Sequence, residues 1–285
     1  MAKQITQHGR LLASPALLPA SGLRIVIALA MKIHPTAIIS DGARLGAGIT
    51  VGPYAVVESE TIIGDRTEIR AHACVKRFTT LGEDNVIYEG AIIGGEPQDL
   101  GFSPCESLLR IGDRCSIREG VTIHRGTQAG SATVIGDDCY LMAYAHVAHN
   151  CRLGDRVILA NNVALAGYVE VSDRVFISGG VVVHQFCRLG RLAMIGGNSK
   201  IVQDCLPFVT TDGMPGRARG LNIVGLRRAG FKASEVQALK EAYRLLLRAG
   251  LPLDEALRQL AGFSDANVNE LIEFARRSKR GFCHE

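Results

Sequence analysis

An aliphatic residue returns at every sixth position over most of this chain, and few folds can use that spacing. The series runs Ile33, Ile39, Leu45, Val51, Val57, Ile63, Ile69, Val75, Leu81, Ile87 and Ile93, then Ile111, Ile117 and Ile123, then in sixes from Ile135 through Leu165 and Val183 to Ile201. A helix repeats near 3.6 residues and an alternating strand at 2, so neither alone keeps these side chains on one side. A solenoid of short flat faces joined by tight corners does. The aliphatic side chain points inward, a small residue four positions on shares the interior, and Gly or Asn relieves corners where φ is positive. Three hexads close one triangular coil, so residues eighteen apart stack at an inter-strand spacing of about 4.8 Å.

The expected architecture is therefore mainly β: a parallel β-helix over residues 31–215 carrying the chemistry, then a C-terminal helical domain over 216–285. Breaks in the period at 98–110 and 128–134 read as loops bordering a binding site. Beyond Pro207 the period fails. From Ser234, read as an N-cap, the residues Val236, Leu239, Ala242, Tyr243, Leu246 and Leu247 form one apolar stripe. Two further helices are expected, Leu253–Leu260 after Pro252 and another over 268–278, and all three would cap the open end of the coil. Residues 1–30 hold no acid and read as a disordered extension.

Composition narrows the classes. At 47% apolar the chain is not disordered, and with no Trp its core must be aliphatic. No apolar run approaches the roughly 20 residues of a membrane span, so no stable membrane insertion is expected. Five of the eight cysteines, Cys115, Cys139, Cys151, Cys187 and Cys205, share the small-residue phase of the repeat and no CxxC occurs. They read as core fillers in a reducing compartment, which places the protein in the cytoplasm. Residues 216–285 hold 13 Lys/Arg against 8 Asp/Glu, so an acidic protein partner is expected there, and no nucleic acid.

Four of the eight histidines, His124, His146, His149 and His184, fall beside the breaks. Adding one and two coils to His149 reaches Gly167 and Gln185, which puts His149, Gly167, Tyr168, His184 and Gln185 on one face, with His149 and His184 about 10 Å apart. Imidazole is the side chain whose ordinary pKa suits removal of a proton from an alcohol near neutrality. With no G-x-S-x-G elbow or Cys/His pair, direct transfer with a His base is the simplest chemistry.

The segments GGEPQDL, IREGVTIHRGT, AHVAHNC, ILANNVALAG, VHQFCRLG and GLNIVGLRRAGF resemble, in order, those of the UDP-N-acetylglucosamine O-acyltransferase family of lipid A biosynthesis. The resemblance covers about residues 31–280. It implies a left-handed β-helix, a homotrimer with sites between neighbours, and acyl transfer from acyl carrier protein to the sugar 3-hydroxyl. It implies His149 as general base and Gly167 as donor to the oxyanion. Asp99, His124, His146, His184 and Gln185 would position substrate, Gly197 would floor the acyl groove, and Asn222 and Arg228 would hold phosphates or the phosphopantetheine arm. No cofactor is implied beyond that arm. Four positions depart from the common pattern: Gly101 for Lys, Asn150 for Asp, Tyr168 for His and Ala229 for Arg. Asn150 and Tyr168 remain candidate substrate contacts, and an amide at 150 orients imidazole while stabilising imidazolium less. Carrier-protein docking is expected at Arg217, Arg219, Arg227, Arg228, Lys232 and Arg244.

Rival readings stay open at this level. The acceptor could be a 3-amino sugar nucleotide, the donor could be coenzyme A, and His124, His146 and His149 could instead hold zinc as in γ-carbonic anhydrases.

Overall fold

The computed structural model describes residues 30–285; the extension expected over residues 1–30 lies, except for its last residue, outside them. Strands mostly of two residues, most joined to the next by a four-residue corner, wind into three sheets that are parallel except at the last strand of one of them. Face A has 11 strands, face B has 9 and face C has 8. The eighteen-residue stack is observed: Val147 pairs with Leu165 and Leu165 with Val183 on face B. The series residues fill the interior, Ile69, Ile87, Ile117, Leu141 and Leu165 being fully buried, and each such side chain removed from water stabilises the coil by about 1.5–3 kcal/mol. The five expected filler cysteines are buried in the same core.

Both breaks lie a few residues earlier than expected, because paired strand reaches into the C-terminal end of each. Leu108–Ile111 pairs with Ala132–Ile135, so the looped residues are 96–107 and 125–131. Both loops leave at the corner between faces B and C. There Ile93 pairs with Ile123 instead of Ile111, and Ile123 with Val147 instead of Leu141.

The corners also correct the expected use of glycine. Asn takes the left-handed turn position at 150, 162 and 198 as expected, but most of these positions hold ordinary residues, among them Arg66, Arg114, Tyr168 and Phe186. Glycine is required one position after the aliphatic residue, where coils nearly touch: a Cβ on Gly64 would lie 2.5 Å from the Gly82 carbonyl, and one on Gly136 would lie 2.7 Å from the Gly154 carbonyl carbon. Close approach, not φ, selects it there.

Past the coil, Val209–Asp212 and Arg217–Leu221 form an antiparallel hairpin that ends face A, so position 215/216 falls in its turn. Four helices follow: α1 Ile223–Arg228, α2 Ala233–Leu247, α3 Leu253–Leu260 and α4 Ala266–Arg276. The hairpin and α1 were not expected. Ser234 lies inside α2; the chain enters that helix at Lys232, whose N–H donates to the Glu235 carboxylate at 2.7 Å. The last helix starts two residues earlier than expected, because the Asp265 side chain accepts the N–H groups of Asn267 and Val268. The helices share a second core with Leu192, Leu206 and Phe208 and so cover the end of the coil.

Candidate active site

The turn between faces B and C carries His149, Gly167 and Gln185 in register on successive coils, with Asn150, Tyr168 and Phe186 beside them. The Tyr168 N–H donates to the His149 carbonyl at 3.1 Å and the Phe186 N–H to the Gly167 carbonyl at 3.2 Å, which locks the three turns into one ladder. The His149 ring lies flush against Gly167. A Cβ at 167 would overlap His149 Cε1 and come within 2.7 Å of Nε2, so a side chain there would evict the imidazole. Among the described residues the Gly167 N–H has no protein acceptor.

Asn150 holds the ring from behind. Its Oδ1 accepts the Thr127 N–H at 3.1 Å and the Thr127 hydroxyl at 3.0 Å, and lies 3.1 Å from His149 Nδ1. With the backbone donor fixing Oδ1 as an acceptor, Nδ1 carries its proton toward Asn150 and Nε2 presents a lone pair outward. Nε2 faces the 96–107 loop, 4.0 Å from Asp99 Oδ2, while Asp99 Oδ1 accepts the Gly101 N–H at 2.8 Å. Tyr168 closes the side: its hydroxyl is 3.2 Å from Thr127 Oγ1, and its ring stands edge-on to His149 and stacks on Phe186. Thr127 and Phe186 were missed in the sequence, although both lie inside quoted segments, IREGVTIHRGT and VHQFCRLG.

His146 stands on face B three residues before the base and His124 on the coil before it, packed edge to face with ring centroids 5.0 Å apart. Burial, reinforced by repulsion from His146 and His149, pushes His124 down to about 4; burial likewise lowers His146. Both are neutral near pH 7, where they can hydrogen-bond but carry no charge. His146 Nδ1 meets the Thr122 hydroxyl at 2.7 Å, and the buried His124 Nδ1 has no protein partner. Among the described residues no group of three His, Cys, Asp or Glu side chains converges on a metal position, the three imidazoles of the zinc reading included. His184 and Gln185 extend the ladder, with His184 Nδ1 at 3.0 Å from the Gln185 carbonyl oxygen.

The remaining candidates sit elsewhere on the same chain. Gly197 belongs to the corner between faces A and B, where a Cβ would make only ordinary contacts of 3.5 and 3.8 Å. Asn222 caps α1 through the Gly225 N–H and donates to the Leu192 carbonyl at 2.9 Å, which holds α1 by the corner between faces C and A. Arg228 ends that helix and Ala229 follows it. The six expected docking cations are all exposed; Arg217 is tied to the Glu285 carbonyl and Arg244 to the Glu241 carboxylate.

A hexad coil with an imidazole seated on a bare glycine, beside loops thrown out at one corner, defines a hexapeptide-repeat transferase; residues 132–167 match the bacterial transferase hexapeptide family. Residues 204–283 match the second domain of UDP-N-acetylglucosamine O-acyltransferases. The acyl-[acyl-carrier-protein]–UDP-N-acetylglucosamine O-acyltransferase of Burkholderia orbicola is 47% identical over 257 residues, 88% of this chain and 98% of that relative. The protein of the same name from Bartonella henselae is 42% identical over 256 residues, covering 88% and 93%. The crystal structure of the Moraxella catarrhalis UDP-N-acetylglucosamine O-acyltransferase superposes with a TM-score of 0.87 at 43% identity, covering 88% of this chain and 99% of that one. This chain therefore belongs to the UDP-N-acetylglucosamine O-acyltransferase family, and its coil is a left-handed parallel β-helix.

Proposed function

We propose that this protein transfers an acyl group from acyl carrier protein to the 3-hydroxyl of UDP-N-acetylglucosamine, the first step of lipid A biosynthesis, with His149 as general base. The observation that carries the chemistry is the imidazole pressed on Gly167 with Nδ1 held by Asn150. The sugar oxygen attacks the thioester carbonyl while His149 Nε2 takes its proton. The unused Gly167 N–H donates to the oxygen as it gains charge. The C–S bond then breaks and imidazolium returns the proton to the leaving thiolate of the phosphopantetheine arm. No other cofactor takes part. Asp99, His146, His184 and Gln185 line the path on either side of the base and bind the sugar and acyl chain. The eight free thiols, five of them in the coil interior, support a cytoplasmic setting, and no helix among the described residues is long and apolar enough to cross a membrane.

Purified enzyme incubated with acyl carrier protein thioesters of several lengths and UDP-N-acetylglucosamine should yield an O-acylated sugar nucleotide by mass spectrometry. His149→Ala should give none above background, with unchanged circular dichroism. A folded, active His149→Ala enzyme would remove this base from the mechanism.

The three corners also support a homotrimer. His149 lies at the B–C corner, Gly197 at A–B and Asn222 with Arg228 at C–A, so one chain keeps the parts apart while copies placed side by side bring them together. The outward stripe of face B is apolar at most of its positions, Ile38 being 60%, Ile92 39% and Val182 46% exposed, with Thr122, His146 and Lys200 as its polar members, which suits an interface. Co-refolding inactive His149→Ala with inactive Arg228→Ala should restore partial turnover in mixed assemblies. No recovery in a mixed, folded trimer would place the whole site on one chain.

A further inference from the structure

A cleft of about 650 Å³ opens on face C immediately beside the catalytic corner. Its inner edge is Asn150, Tyr168 and Phe186, the same turn ladder that buttresses His149. Its cations are Arg152 and Arg188, projecting from face C, and Arg276, Arg277, Lys279 and Arg280, from the end of α4 and the segment after it. Only two carboxylates share the cleft, and Arg188 occupies both, lying 3.7 Å from Glu170 and 3.6 Å from Asp204. Arg276 is paired outside the cleft with Glu273 at 2.9 Å, and Arg280 donates to the Val202 carbonyl at 3.2 Å. Among the described residues Arg152, Arg277 and Lys279 make no ion pair, and all three are exposed. None of the six docking cations expected from the sequence lines this cleft.

We infer that this cleft, and not the α1–α2 surface, seats the acidic carrier that delivers the acyl group. The inference rests on the acyl transfer proposed above. Its first support is position: a thioester arm anchored here crosses the exposed rings of Tyr168 and Phe186 to reach His149 and Gly167. Its second is the extent of the charge. Unpaired Arg152 on face C stands two inter-strand steps, about 10 Å, from Arg188, which Glu170 and Asp204 already hold, so the free charge lies at separate points of the rim, on Arg152 and on Arg277 and Lys279. Separate points of charge suit carboxylates spread along an acidic helix, where i, i+4 and i+7 rise about 10 Å, better than one diphosphate. Cations left without partners at an open rim steer and hold such a surface more by long-range attraction than by buried contact.

The triple variant Arg276→Glu/Arg277→Glu/Lys279→Glu separates the possibilities, with Arg227→Glu/Arg228→Glu/Lys232→Glu as the rival patch. Two measurements are made: binding of labelled holo acyl carrier protein by fluorescence anisotropy, and steady-state kinetics with the carrier thioester and with acyl-phosphopantetheine, which lacks the protein. The cleft variant should weaken carrier binding and raise KM for the carrier thioester roughly tenfold or more, and flatten its salt dependence. Its KM for UDP-N-acetylglucosamine and its rate with acyl-phosphopantetheine should stay within about twofold of the parent enzyme. Unchanged carrier binding in the folded cleft variant, or loss confined to the rival patch, would overturn the assignment. A raised KM for the sugar nucleotide alone would make this a nucleotide site instead. If the parent enzyme binds carrier but transfers nothing, the activity reading fails while the docking result still stands.

Discussion

Two corners of the same coil use one backbone geometry for opposite ends. At the corner between faces C and A, the turn holds Asp113, Asp137, Asp155 and Asp173 on successive coils. Each carboxylate accepts the N–H of the coil before it: Asp113 donates to Asp137 and Asp137 to Asp155 at 2.9 Å, and Asp155 to Asp173 at 3.0 Å. The equivalent positions at the B–C corner hold His149, Gly167 and Gln185. There no side chain of the next coil reaches the N–H of His149 or Gly167 among the described residues. The solenoid therefore offers an outward backbone donor at every corner. It becomes a structural bond where an aspartate answers it and a site for developing negative charge where a glycine leaves it open.

Substituting glycine by alanine at the two corners breaks that comparison most directly. Gly167→Ala forces the His149 ring out of place and should cut kcat by roughly 10²–10³, with little change in melting temperature. Gly136→Ala meets the backbone of the next coil and should instead lower the melting temperature by several degrees, costing about 1–3 kcal/mol, while the folded fraction turns over normally. Equal effects on kcat at both corners would show that the distinction is wrong.

A smaller effect sharpens the role of the B–C corner. Thr127→Val removes the hydroxyl that fixes Asn150 and reaches Tyr168, and should lower kcat about tenfold with KM little changed. Thr127→Ser should restore most of it. A KM effect without a kcat effect would make Thr127 a substrate contact and not a positioning residue.

The last effect shows only on acidification and concerns stability. His124 ionises near 6.5 when unfolded and only at about 4 when folded, so the folded state binds fewer protons between those values. Its contribution is fully present above pH 6.5 and lost as pH falls through about 4, up to roughly 3 kcal/mol. Melting temperature followed from pH 7 to 4 should fall less steeply for His124→Gln than for the parent protein. Parallel curves would mean that other groups govern acid stability.

The hexad period by itself determined the coil, because an aliphatic residue in every sixth position has one way to be buried across three flat faces. It also placed Gly167 on His149, since stacking is arithmetic once the coil length is known. Local signals failed where the backbone was decided at long range. The C–A glycines are dictated by a neighbouring coil eighteen or more residues away, and α1 is anchored by Asn222 on Leu192. The partner of the base was equally invisible: Thr127 stands in an inserted loop, and only the return of that loop to the corner brings its hydroxyl to Asn150. Periodicity fixes which residues face inward, because burial repeats with the chain. What the outward residues touch depends on loops and helices that follow no period, and only the folded structure decides it.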